Sequence, residues 1–250
     1  MVEYSIPTAF KKAEDYNAYD YFVYKNGKPA ERAKKIVQDP AAMLTDFADC
    51  FEDYKSLKIA AISDTDGSYA IPMACMGAEV TIFGVFEDGK RYALKTAKAA
   101  GVSINYEVCD VLDMDERFFD CFDAVIIKRA AIHYFYDIET FFNIISSMLK
   151  TGGKLVCIDF HPFYKESVCL VSKHRFGNIQ RQLPEASEKR YVLTDILQAV
   201  SLCGLKITSF DEETVTDELA ARTLACLTAE KQAELAELVQ QHPLFYPNVK

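Results

Sequence analysis

The sequence predicts an α/β chain with a doubly wound, mostly parallel sheet, helices on both faces, and capping helices at its N-terminal end. Short apolar runs, "LKIAAIS", "EVTIFGVF", "FDAVIIKRA" and "KLVCIDF", have the length and β-branched content of strands buried on both faces. Amphipathic stretches of helical period, "EDGKRYALKTAKAAG" and "IETFFNIISSMLKTGG", lie between them. Alternation of the two kinds is what a parallel sheet needs, because each crossover carries the chain back along the sheet.

The elements follow in order. From about Asn17 to Lys55 the pattern is helical and rich in aromatics, broken at "KNGKP" and "QDP", where the residue before each proline leaves the α region. This leading segment, 1–55, is expected to form a helical cap. "LKIAAIS" is then the first strand, "YAIPMACMG" a helix closed by Gly77, "EVTIFGVF" the second strand, and "EDGKRYALKTAKAAG" a helix stopped by Gly101. "SINYEVCD" and "FDAVIIKRA" are the third and fourth strands, "IETFFNIISSMLKTGG" a helix and "KLVCIDF" the fifth strand. "RYVLTDILQAVSLCG" and "LKITSFDEE" add one helix and one strand, closing a sheet domain over 56–212. The stretch from Thr214 to Gln241 is helical in composition, so 213–250 is expected to be a helical extension packed on the same domain. The last run, "LFYPNVK", is confined by Pro247 to an edge or a very short strand. A seventh strand is then either absent or replaced by that helix as a dimerisation surface.

Bulk properties narrow the partners. A formal net charge of -9 and a pI near 5.0 leave no broad basic surface for a phosphate backbone, so no nucleic-acid partner is expected. Arg32, Lys34 and Lys35 read as one solvated helix face. The eight cysteines are scattered through apolar runs with no C-x-x-C, the pattern of reduced, buried thiols in a cytoplasmic protein. The first residues carry no apolar signal core and no run reaches membrane-spanning length, so no membrane association is expected.

In an open sheet of this kind a ligand sits beyond the carboxyl ends of the strands, where the strand order reverses. Those ends are "SDTDG", "GVFED", "CDVL", "IKRAAIH" and "DFHP". Here the chain resembles a family. The run "KIAAISDTDGSYAIPMACMGAEVTIFGVFEDGKRYALKTAKAAG", the later "VCDVLDM" and the segment "LKTGGKLVCIDFHP" resemble class I S-adenosylmethionine-dependent methyltransferases, whose fold is Rossmann-like. The leading "NAYDYFVYKNGKPAERAKKIVQDP" is similar to capping helices in one bacterial branch of that family. The resemblance implies methyl transfer to a small-molecule acceptor, with S-adenosylmethionine as cofactor.

The residues that the resemblance assigns can be named one by one. The cofactor loop is Ser63, Asp64, Thr65, Asp66 and Gly67, where the family has G-x-G-x-G and this chain keeps only Gly67. The second strand of the family ends on an acid that accepts from both ribose hydroxyls; here the position is Gly84, followed by Val85 and Phe86. Glu87 and Asp88 either bend back to replace that acid or favour the first turn of the next helix. Asp110 matches the contact to the adenine amino group, with Val111 packing beside it, or it caps a turn.

Lys128 and Arg129 place positive charge after the fourth strand, suited to the cofactor edge and to an anionic substrate group. His133 is the candidate general base, the alternative being a structural histidine. Tyr134 and His161 are candidate substrate contacts. His133, His161 and Asp159 lack a metal-ligand spacing, so no metal is expected. Tyr16, Tyr19, Tyr21 and Tyr24 resemble an aromatic lid, Tyr19 reaching the substrate, unless the helix merely docks its aromatic face. With two family features altered at one pocket, the cofactor site is expected to be weak. The alternative to an enzyme is a catalytically silent relative that acts as a binding or assembly module, as a homo- or heterodimer. A nicotinamide enzyme is disfavoured, since it would need both G-x-G-x-x-G and the strand-end acid.

Overall fold

The computed structural model describes residues 18–128, 132, 135, 137–160, 191–213 and 224–232. The helices are α1 (Ala18–Asn26), α2 (Pro29–Gln38), α3 (Ala70–Cys75), α4 (Glu87–Ala100), α5 (Ile138–Met148) and α6 (Leu193–Leu202). The strands are β1 (Lys58–Ile62), β2 (Glu79–Gly84), β3 (Asn105–Val108), β4 (Phe122–Lys128), β5 (Leu149–Phe160), β6 (Leu205–Glu213) and β7 (Leu224–Lys231). They make a mostly parallel, seven-stranded sheet with helices, as the sequence predicts.

The chain divides into two compact units, Met1–Ile126 and Ile127–Lys250. The division falls inside β4, whereas the sequence places boundaries after residues 55 and 212. The helical cap belongs to the first unit because α1 and α2 pack on α4.

In the first unit the strand order is β3-β2-β1-β4. β1 pairs with β2 in parallel, Ile59 opposite Val80 and Ile62 opposite Phe83, and β2 pairs with β3, Ile82 opposite Tyr106. Residues 59–62 are wholly buried, the signature of a strand covered on both faces. Helix α4 buries Tyr92, Ala93, Thr96 and Ala97 along one stripe, carries Glu87 and Asp88 in its first turn and Lys98 in its last, and ends at Gly101. Charges of those signs at those ends favour the helix dipole. The order reverses beside β1, so the turn after β1, Ser63–Gly67, stands at the topological switch point.

In the second unit the order is β5-β7-β6, with β7 antiparallel to both neighbours. Helix α5 starts at Asp137, whose carboxylate accepts from the Thr140 amide at 3.0 Å, and buries Ile138, Phe141, Phe142, Ile145 and Met148.

Strand β7 corrects, over 224–231, the expectation of a C-terminal helix, and it supplies a seventh strand. Residues 224–231 have the composition of a helix, yet Leu155 faces Ala229 on one side and Ile207 faces the same residue on the other. Leu227 and Ala229 are buried while Thr228 and Glu230 are less so, a period of two. Two waiting strand edges supply hydrogen bonds on both sides, and that outweighs a helix propensity worth only tenths of a kcal/mol per residue. The run "LFYPNVK" lies outside the described residues.

The β6–β7 register is testable by cross-linking. Thr208 and Thr228 bring their Oγ1 atoms to 2.8 Å across the pair on the exposed side. The double substitution Thr208→Cys/Thr228→Cys should form a disulfide under mild oxidation, read by mass spectrometry of the linked peptides. A helical 224–231 would leave both thiols free.

Candidate functional site

The turn after β1 is organised around its two aspartates. Asp64, only 4% exposed, accepts from the Ser68 amide at 2.8 Å, the Tyr69 amide at 3.1 Å and the Ala70 amide at 2.8 Å. These are among the amides that the short α3 leaves unpaired at its start, so Asp64 binds its own backbone. Burial, and next the neighbouring Asp66 charge, push its carboxyl up to about 7, with the three amides pulling the other way.

Asp66, 6% exposed, is spent differently. It accepts from Asn26 Nδ2 at 2.7 Å and from the Ser68 hydroxyl, which in turn accepts from Arg32 Nη2 at 3.0 Å. Asn26 ends α1 and Arg32 lies in α2, so this carboxylate ties the N-terminal helices to the turn. Tyr92 of α4 adds a second tie by donating to the Gly27 carbonyl at 2.9 Å. None of these N-terminal contacts was legible in the sequence. Their only signal is the pair Asn26-Gly27 between two helices.

The backbone of the turn keeps a glycine-like path. Ser63 sits at φ 61° and Gly67 at φ 71°, and a Cβ on Gly67 would lie 2.7 Å from Ile71 Cδ1. Ser63 therefore holds a left-handed conformation that costs a side chain about 1–2 kcal/mol. Thr65 is half-buried, and its carbonyl accepts a long 3.4 Å hydrogen bond from Tyr106 Oη.

At the end of β2, Gly84 offers no carboxylate, and the place of its missing side chain is filled. A Cβ there would overlap Tyr106 Oη and lie 3.0 Å from Tyr106 Cζ. Val85 is exposed and Phe86 half-buried at the start of α4. Glu87 and Asp88 lie in the first turn of that helix. Asp110 accepts from the Leu112 amide at 2.9 Å and caps the short 3-10 turn Val111–Asp113, with Val111 buried behind it.

Tyr19 packs on the neighbouring helix, the arrangement the sequence offers as the alternative to a lid. Its ring packs edge-on against Tyr92 at 5.9 Å, with Arg91 and Lys95 at 4.5 and 4.9 Å from its centroid. Helix α1 thus docks its aromatic face on α4, and Tyr24 points to solvent at 67% exposure.

In the second unit, Lys128 ends β4 and is half-buried. Asp159 of β5, 4% exposed, accepts from the Ile132 amide at 3.0 Å. Sequence reasoning weighed it only with His133 and His161 as a metal group and expected no metal there. Tyr16, Arg129, His133, Tyr134 and His161 lie outside the described residues. Among the described residues no group of three His, Cys, Asp or Glu side chains gathers to hold a metal, and no helix is long and apolar enough to cross a membrane.

S-adenosylmethionine fits one end of this site and not the other. The turn's backbone is left-handed at Ser63 and Gly67, a path that glycines take readily. The two carboxylates are consumed internally, however, and the ribose end has a phenol where the family places an acid.

Two outcomes follow from the turn. Asn26→Ala should remove a hydrogen bond to a buried carboxylate and lower unfolding stability by about 1–3 kcal/mol, read by urea denaturation. With its folded-state pKa raised, Asp64 binds its proton more tightly folded than unfolded. Stability should therefore fall as pH rises from about 4 to about 7. Asp66→Asn removes the neighbouring charge and should flatten that slope, read from urea midpoints across the range.

Residues 63–157 match the family described as methyltransferase domain. A curated relative, the ubiquinone biosynthesis O-methyltransferase of Rhizobium leguminosarum bv. trifolii, is 25% identical over 160 residues, 62% of this chain and 61% of the relative. The chain thus spans about three-fifths of the length of the curated relatives it matches. A solved S-adenosylmethionine-dependent methyltransferase from Mesorhizobium loti superposes with a TM-score of 0.59 at 18% identity, covering 78% of this chain and 99% of that one. The magnesium protoporphyrin IX methyltransferase of Synechocystis, solved with bound S-adenosylhomocysteine, superposes with a TM-score of 0.54 at 16% identity, covering 84% of this chain and 87% of that one. The stretch 63–157 thus matches a methyltransferase domain, and the fold around it is shared with solved S-adenosylmethionine-dependent methyltransferases.

Proposed function

We propose that this chain transfers a methyl group from S-adenosylmethionine to an oxygen of a small molecule in the cytoplasm. The observation that carries the reading is the match over 63–157, which begins at the switch-point turn and keeps its glycine-like path at Ser63 and Gly67. The oxygen acceptor rests on the name of the curated relative. In this reading His133 takes the acceptor's proton, and Lys128 and Arg129 hold an anionic group. Tyr134 and His161 complete the acceptor's surroundings. Methyl transfer asks mainly that nucleophile and sulfonium be held in line, so few catalytic side chains are needed.

A second reading is favoured by the phenol over Gly84: a catalytically silent relative that binds or assembles with a partner, as a homo- or heterodimer. Titration calorimetry with S-adenosylmethionine and S-adenosylhomocysteine separates the two. Saturable heat below millimolar ligand, followed by methyl transfer to small phenols or acids, is the expected outcome. A flat titration at millimolar ligand would leave only the second reading.

A further inference from the structure

Two glycines, Gly84 at the end of β2 and Gly89 in the first turn of α4, have their side-chain space taken by residues from elsewhere in the first unit. A Cβ on Gly84 would overlap Tyr106 Oη and meet its Cζ at 3.0 Å and Cε1 at 3.3 Å. A Cβ on Gly89 would overlap Thr65 Cγ2, lie 2.8 Å from the Thr65 carbonyl oxygen and 3.1 Å from Tyr106 Oη. Tyr106 comes from β3 and Thr65 from the turn after β1, and their contact is the 3.4 Å hydrogen bond between them. Gly89 in a helix costs about 1 kcal/mol against alanine, a cost without local purpose unless the space is needed.

We propose that Tyr106 plugs the position from which a second-strand carboxylate would reach a ribose, and that Gly84, Gly89, Thr65 and Tyr106 form one interlocked unit. A nucleoside ligand of this turn therefore has no carboxylate for its diol, and the chain regains one only when Tyr106 is cut back. Electrostatics agree with the packing. Burial, then Asp64, Asp66 and Glu87, raise the Tyr106 phenol well above its ordinary value, so a neutral donor sits where three acids are already close. A fourth carboxylate there would be repelled as well as crowded. The proposal rests on the family reading only in treating this turn as the nucleoside side of the site.

The test uses the full chain in four forms: parent, Gly84→Asp, Tyr106→Leu and the double variant Gly84→Asp/Tyr106→Leu. Each is measured for its urea midpoint and for calorimetric affinity toward S-adenosylhomocysteine and its 2′-deoxy analogue. Gly84→Asp alone should lower the midpoint, or fail to fold, without raising affinity. The double variant should recover the midpoint relative to Gly84→Asp and bind S-adenosylhomocysteine about ten-fold or more tighter than the parent. That gain should vanish with the 2′-deoxy analogue.

A Gly84→Asp protein as stable as the parent overturns the proposal, as does a double variant that gains no affinity or folds no better than Gly84→Asp. If the parent is silent and the double variant binds, the plug stands and the proposed methyl transfer falls. If the parent binds and the double variant gains nothing, the plug falls and methyl transfer stands.

Discussion

Burying two carboxylates in one five-residue turn is costly, since each loses its hydration and each repels the other; the first unit is arranged to meet that cost. Asp64 answers it with three amides at the start of α3. This sets where α3 begins and fixes the turn against β1. Asp66 answers it with Asn26 and Ser68, and through Ser68 with Arg32. Because those partners come from α1 and α2, the N-terminal helices become part of the turn's structure. Helix α4 then receives α1 through Tyr19, Phe22 and Tyr92.

The fold and the side chains at this turn answer to different forces. Strand pairing through β1, β2 and β3 depends on apolar burial and on main-chain hydrogen bonds, which Gly84 and Tyr106 supply as well as any other residues. Recognition of a nucleoside would depend instead on a few side chains at the strand ends, which strand pairing does not specify. The fold can therefore be shared while an activity has to be argued from the side chains at the site.

Much of the architecture was legible because its signals are local. The buried run "IAAI", the stripe on α4 and the cap at Asp137 each lie within one segment, so periodicity and capping rules find them. The miss at 224–231 has the opposite cause. Its neighbours in the sheet, Leu155 and Ile207, lie far away in sequence, and an Ala/Glu/Leu-rich segment takes the structure that those partners offer. The placement of Tyr19 stayed open for a similar reason. An aromatic helix face fits equally a ligand or a neighbouring helix, and the tie between α1 and the turn was hidden in Asn26.

By itself the sequence determined the α/β class, a turn after β1 with Gly67 as its one glycine, and the absence of an acid at the end of β2. These follow from composition and spacing within short stretches, where each residue's neighbours in sequence are also its neighbours in space. Only the tertiary structure decided what the replacements do. Asp64 and Asp66 are consumed by hydrogen bonds from α3 and α1, and Gly84 is glycine because Tyr106, twenty-two residues further on, occupies its side-chain space. Steric exclusion and the satisfaction of buried charge act between residues that folding brings together, so no reading along the chain discloses them.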